Sequence, residues 1–161
     1  MSTTPITSEA LASQATGLLI QAAFVFWGHF VARAGDLGLA PTQAHALMVI
    51  SPGQATSMRD LADSLECDPS TITGVADRLE AQGLLERGSQ AGDRRVRTLT
   101  LTPAGTARRA QLMARLAEPP DSVRDLDARA VTELLEILGR ILHAEASARA
   151  VAARCLPRRP A

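Results

Sequence analysis

Between residues 57 and 105 the apolar positions recur in two rhythms, and the change of rhythm divides the stretch into elements. Met58, Leu61, Ala62 and Leu65 stand at i, i+3, i+4 and i+7, the spacing of one buried helical face, behind Ser57 as a cap with Asp60 three residues on. Ile72, Val75, Ala76 and Leu79 repeat that spacing after Asp68-Pro69, a cap followed by a proline at the first helical position, where its missing N–H costs nothing. Only Glu66 and Cys67 lie between, so the two helices must meet across a sharp turn. Gly83 is placed to end the second helix as a left-handed cap. Beyond it the period falls to two: residues 84–87 and 95–101 read as strands joined by the turn-rich segment 88–93. Thr102-Pro103 repeats the cap-plus-proline device and starts another helix. Helix, turn, helix, hairpin, helix is the plan of a winged helix-turn-helix.

The flanks are helical. Residues 8–33 read as a long helix, closed by Gly35, with Leu11, Ala15, Leu18, Leu19 and Ala22 on overlapping faces; a helix apolar over so much of its circumference needs cover on several sides. A further helix is expected over residues 38–50, starting at Pro41 with Ala44, Leu47 and Met48 inward, and a short strand near Ala55-Thr56 can add to the hairpin. After Gly105 the chain stays helical to about residue 117 and stops at Pro119-Pro120. A last helix, about residues 128–153, carries Val131, Leu134, Leu135, Leu138, Ile141 and Leu142. The expected fold is therefore mainly α with a small β-wing. A winged helix-turn-helix lobe takes residues 36–105, and a helical dimerisation lobe is built from both termini, 1–35 and 106–161, interlocked with a second copy across a two-fold axis.

The outward face of the second short helix holds Ser70, Thr71, Gly74, Asp77 and Arg78, with Thr73 at its flank. Small hydroxylic side chains at a helix N-terminus suit a DNA major groove, where their donors reach phosphates and base edges; the same residues also suit a solvated face with ordinary capping. The hairpin weighs in the first direction. Arg94 and Arg95 sit at or just inside its tip with Arg97 two residues on, and guanidinium groups suit phosphate oxygens and a narrow minor groove. Asp93 is placed to pair with Arg95 and hold the tip in shape.

Leu61-Ala62-Asp63, Asp68-Pro69-Ser70-Thr71-Ile72-Thr73, Asp77-Arg78-Leu79-Glu80, Gly83-Leu84-Leu85-Glu86-Arg87, Asp93-Arg94-Arg95 and Leu101-Thr102-Pro103-Ala104-Gly105 follow one another in the register of the MarR family of bacterial transcriptional regulators, which this stretch resembles. The resemblance implies a homodimer on double-stranded, pseudo-palindromic DNA. It also implies a repressor that leaves its operator when a small, often phenolic, ligand binds or a cysteine is oxidised. Two positions depart from the family pattern. Gly74 stands where a larger, often basic residue is common, which brings the helix backbone closer to DNA or weakens base readout. Cys67 takes a turn position that is usually apolar, either as a small buried hydrophobe or as a thiol whose oxidation would wedge the two helices apart.

Charge is the counterargument. The 17 basic residues, all Arg, balance 17 acids, and residues 57–105 hold six Arg (59, 78, 87, 94, 95, 97) against eight acids, a net of −2. Only 87–97 is locally basic, with four Arg against one Asp, so DNA affinity should concentrate in the wing with a moderate salt slope. That acidity also keeps open a winged helix used as a protein-interaction module.

Every aromatic residue, Phe24, Phe26, Trp27 and Phe30, lies in the first helix. They read as core or dimer packing, or in part as walls of a cavity for a small aromatic or amphipathic ligand, with Phe26, Trp27 and Phe30 beside His29, Gln43 and His45 as its polar groups. No cofactor is expected. Cys67 and Cys155 are too few and too far apart for a disulfide framework, and three histidines without ligand spacing give no metal site. No nucleophile elbow or phosphate loop gathers the Ser, His and Asp residues, so an enzyme is the least supported class. No secretory signal is visible, and the tract 17–32, interrupted by Gln21 and His29, reads as too short a clean run for a membrane span. A cytoplasmic protein is the expectation.

Overall fold

The computed structural model describes residues 7–90 and 93–155. Seven helices and three strands occur among them, in the order α1 (Ser8–Gly35), α2 (Pro41–Val49), β1 (Thr56–Ser57), α3 (Met58–Leu65), α4 (Pro69–Ala81), β2 (Leu85–Gln90), β3 (Asp93–Leu101), α5 (Pro103–Leu116), α6 (Asp121–Arg124) and α7 (Ala128–Cys155). The fold is mainly helical with one small antiparallel sheet, ordered β1-β3-β2. The chain divides into two compact units, one ending at Glu118 and the other beginning at Pro119.

The first unit contains the core. Leu47, Ile50, Leu61, Ile72, Leu79, Leu85, Leu99 and Leu112 are its largest fully buried side chains, so α2, α3, α4, the sheet and α5 share one apolar interior. Both stripes read from the sequence face inward: Leu61, Ala62 and Leu65 on α3, and Ile72, Val75, Ala76 and Leu79 on α4. The strands run longer than the alternation indicated. β2 pairs with β3 from Leu85↔Leu101 out to Gln90↔Asp93, so most of the expected turn 88–93 is ladder, with an irregularity at Ser89/Gln90. On the other side of β3, β1 pairs only Thr56↔Leu99 and Ser57↔Thr98 before α3 begins.

A corner fixes where the hairpin leaves the helices. Gly83 takes φ +69°, ending α4 in the left-handed region as its position predicts. The Thr102 hydroxyl donates to the Gly83 carbonyl at 2.6 Å and accepts from the Gly105 N–H at 2.9 Å, while the Thr102 N–H donates to the Leu84 carbonyl at 3.1 Å. Gly105 is buried against that carbonyl, and a Cβ there would collide with the Leu84 carbonyl oxygen.

α1 runs 28 residues and meets α2 and α5 near its C-terminal end, where Ala34 is buried. Arg108 of α5 donates to the Leu37 carbonyl at 2.6 Å, and Arg109 donates to the Met48 carbonyl at 3.3 Å. Much of the rest of α1 is exposed, including Ile20 (53%), Phe24 (74%) and Val25 (70%). One expectation is corrected here: by length and composition α1 is long and apolar enough to cross a membrane, because Gln21 and His29 are diluted by the apolar residues around them. The second unit holds α6 and α7, and on α7 Leu135 (68%), Ile137 (53%) and Leu142 (68%) are exposed.

The corner makes Gly105→Ala destabilising by about 1–3 kcal/mol, as overpacking against main chain does. Gly74→Ala, placed on a helix with nothing within 4 Å of the new methyl, is expected to stabilise by up to about 1 kcal/mol. Urea unfolding of both variants checks the pair; equal midpoints would mean that the corner does not constrain the fold.

Candidate nucleic-acid interface

Capping sets α3 in place: the Ser57 hydroxyl accepts from the Asp60 N–H at 3.0 Å. The helix ends at Glu66 with φ +51° and ψ +39°, and the Cys67 N–H returns to the Ala62 carbonyl at 3.1 Å. This left-handed residue turns the chain by itself, without a glycine. Cys67 is half-buried against the core, and its thiol donates to the Leu65 carbonyl at 3.3 Å, so it serves as a turn-filling hydrophobe with one polar contact. Asp68 occupies the N-cap of α4 in extended geometry, yet its side chain takes no capping hydrogen bond. Pro69 does not account for this, because a capping side chain accepts from the second or third N–H of the helix, as Thr102 does from Gly105 behind Pro103.

With its apolar stripe inward, α4 presents Ser70, Thr71, Thr73, Asp77 and Arg78 to solvent, and Gly74 between them is half-buried with open space where a side chain would stand. The Thr73 hydroxyl donates to the Pro69 carbonyl at 3.0 Å, leaving only its lone pairs for a partner. Ser70 and Thr71 make no such bond among the described residues.

Arg87 belongs to the locally basic segment 87–97, but its charge is taken up within the lobe. Its guanidinium donates to Asp77 Oδ1 and to Glu80 Oε2, each at 2.5 Å, and reaches the Thr73 carbonyl at 3.5 Å. One side chain of β2 thus grips successive turns of α4. The hydrogen bond to Asp77 raises the Arg87 pKa above its ordinary value against the opposing effect of burial, with the charge of Glu80 adding to the rise. By linkage a raised pKa contributes stability that is lost only as pH climbs through the folded value, far above neutrality. Nothing in the sequence singled out Arg87 from the other hairpin arginines; the signal lies in the i, i+3 spacing of Asp77 and Glu80, which puts both carboxylates on the flank that the first strand crosses.

In the hairpin, Asp93 Oδ1 accepts the main-chain N–H of Arg95 at 2.9 Å. The expected pairing therefore exists as a bond to the backbone, which shapes the tip without engaging the guanidinium. Arg95 and Arg97 are exposed on β3. Arg94 lies in β3 and its side chain falls outside the described residues, as do the side chains of Arg154 and Cys155 and the whole of Arg158 and Arg159; the sequence offers Arg154, Arg158 and Arg159 as a basic tail, solvated or in contact with phosphate. Arg59, Arg78 and Arg97 make no ion pair or side-chain hydrogen bond among the described residues, in contrast to Arg33, Arg87, Arg115, Arg124 and Arg129, which are all paired.

The residues read as a ligand pocket are only partly brought together. Phe26, Trp27, Phe30 and His45 line a cavity of about 240 Å³ with Ala23 and Met48, and the Trp27 and Phe30 rings stack at 5.1 Å. Gln43 does not join them: it is 4% exposed, and its Oε1 accepts the Ala40 N–H at 2.8 Å, capping α2. His29 is also absent from the lining, and its Nε2 is buried without a partner among the described residues. Among the described residues no cluster of His, Cys, Asp or Glu could hold a metal ion.

Two helices joined by a tight turn, with a two-stranded hairpin braced against the second, define a winged helix-turn-helix lobe. Residues 39–96 match the model of the MarR family. The chain is 32% identical over 77 residues to the HTH-type transcriptional repressor MdtR of Bacillus subtilis (strain 168), a match that covers 48% of this chain and 50% of MdtR. It thus spans about half the length of that relative. Two solved structures extend the likeness. The transcriptional regulator BldR of Sulfolobus solfataricus is 27% identical with a TM-score of 0.66, over 86% of this chain and 99% of BldR. CouR of Rhodococcus jostii RHA1, bound to p-coumaroyl-CoA, is 25% identical with a TM-score of 0.62, over 83% of this chain and 95% of CouR.

Arg87→Met is expected to cost less than about 1 kcal/mol in stability, because Asp77 and Glu80 are 58% and 40% exposed and solvent screens the pairs. Its larger effect is on the hairpin: amide exchange in β2 should accelerate while exchange in α4 stays slow. Unchanged β2 exchange would show that the ladder alone holds the wing.

Proposed function

We propose that this protein is a homodimeric, sequence-specific DNA-binding transcriptional regulator, a repressor that a small-molecule effector releases from a pseudo-palindromic operator. The observation that carries the reading is the pairing of two features on one lobe. One is a helix tip of exposed small hydroxyls, Ser70 and Thr71, with Arg78, unpaired among the described residues, on the same helix; the other is a hairpin with exposed Arg95 and Arg97. Two α4 helices entering successive major grooves about one helical turn apart would read a site with two-fold symmetry. Ser70, Thr71, Gly74 and Arg78 would serve the major groove and its flanking phosphates, Thr73 would accept rather than donate, and Arg94, Arg95 and Arg97 would serve the wing.

A second copy is the cover we assign to α1 and α7, whose apolar residues stand exposed in the isolated chain. The residue spans 1–35 and 106–161 would build that interface. MdtR is named a repressor and BldR a regulator, which supports the same role here. CouR holds a ligand, which supports an effector, and the aromatic cavity beside His45 is where we place a small aromatic or amphipathic one. The net acidity of residues 57–105 favours one competitor, a winged helix that docks on another protein.

Titration of the purified protein with the duplex upstream of its own coding region, at two salt concentrations, separates the two. The DNA reading predicts a saturable, salt-sensitive complex of a dimer; no complex in dilute buffer would sink it. Arg95→Ala should weaken every duplex alike and lower the salt slope by about one, whereas Thr71→Ala should change sequence preference.

A further inference from the structure

An open groove of about 860 Å³ separates the helix-turn-helix from the hairpin, lined by Ser57, Met58, Arg59 and Asp63 of the α3 side, by Thr73 of α4, and by Arg95, Val96 and Arg97 of β3. It exists because β1 covers β3 only at Thr98 and Leu99: the chain turns into α3 at Met58, so β3 runs on toward the tip without a neighbour on that side. Its floor is apolar and its rim brings together guanidinium groups from two elements far apart in sequence. Arg59 and Arg97 have no ion pair among the described residues.

We infer that this groove is the seat for the DNA backbone strand lying between the major groove read by α4 and the minor groove entered by the wing, and that Arg59 of α3 is a phosphate-binding residue there. The inference rests on the DNA-binding reading and follows from duplex geometry. A helix in the major groove and a hairpin in the adjacent minor groove necessarily straddle the sugar-phosphate strand that separates the two. That strand must lie where helix and hairpin part, and the part of this lobe that fits is a groove with arginines on both banks. Asp60 and Asp63 also line it and oppose a phosphate. Three arginines against these two carboxylates leave the groove as a whole cationic by one charge, and without Arg59 it would be neutral.

The test uses the full-length protein and a 30-base-pair duplex of mixed sequence, since a phosphate contact is indifferent to sequence. Arg59→Ala should lower affinity roughly eightfold per engaged subunit at about 0.1 M monovalent salt and reduce the salt slope by about 0.9 per subunit. Arg59→Lys should restore the slope, and Asp63→Asn should raise affinity. The thermal midpoint of each variant reports on folding, so that a binding loss with an unchanged midpoint belongs to the contact. If Arg59→Ala binds with the affinity and slope of the wild type, the groove holds another occupant, such as a peptide segment, and the inference is overturned while the DNA reading stands. If the wild type itself shows no salt-dependent binding, both fall.

Discussion

The corner around Thr102 carries the geometry on which the rest depends. Four chain segments meet there: the end of α4 at Gly83, the start of β2, the end of β3 and the first turn of α5. One hydroxyl donates across to the Gly83 carbonyl and accepts from the Gly105 N–H, satisfying main-chain groups that would otherwise be stranded at a helix end and a helix start. The absence of a side chain at Gly105 lets α5 approach the Leu84 carbonyl closely enough for this to happen. Since β2 and β3 leave from this point, the direction of the wing relative to α4 is set by hydrogen bonds and sterics at its base.

Arg87 makes the second attachment, some way out along the hairpin, by gripping Asp77 and Glu80 on α4. Two attachments turn a helix and a hairpin into one body, which a partner then meets as a single surface. They also change the electrostatics. Residues 57–105 are net acidic by count, yet two of the acids are consumed by Arg87, and Arg59, Arg78 and Arg97 are left without partners among the described residues. The charge available to a partner is therefore distributed differently from the charge in the composition.

Much of the lobe was legible because its signals are local. The cap at Ser57, the proline at the start of α4, the glycine at 83 and the cap at Thr102 each act within a few residues, and the 3.6-residue stripes of α3 and α4 face the core as spacing requires. What escaped the sequence depends on distant partners. The strands continue through Gly88 and Ser89 because the ladder with β3 sustains residues whose own composition favours a turn. Arg87 looked like its neighbours until α4 supplied two carboxylates. Gln43 is the exception, because its partner is the Ala40 N–H three residues back, and a glutamine two residues past Pro41 is itself a local capping signal. The long α1 was judged by its two polar interruptions, whereas the whole helix is apolar enough to demand a large apolar surround.

The central claim is that this rigid lobe grips duplex DNA across one strand, with α4 on one side of it and the hairpin on the other. Hydroxyl-radical footprinting of the protein on its upstream duplex tests this most directly, because cleavage reports backbone exposure nucleotide by nucleotide. The account predicts paired zones of protection whose centres lie about 10 base pairs apart, each including the sugars between a major and a minor groove. Uniform cleavage at saturating protein, or protection confined to one groove, would contradict it.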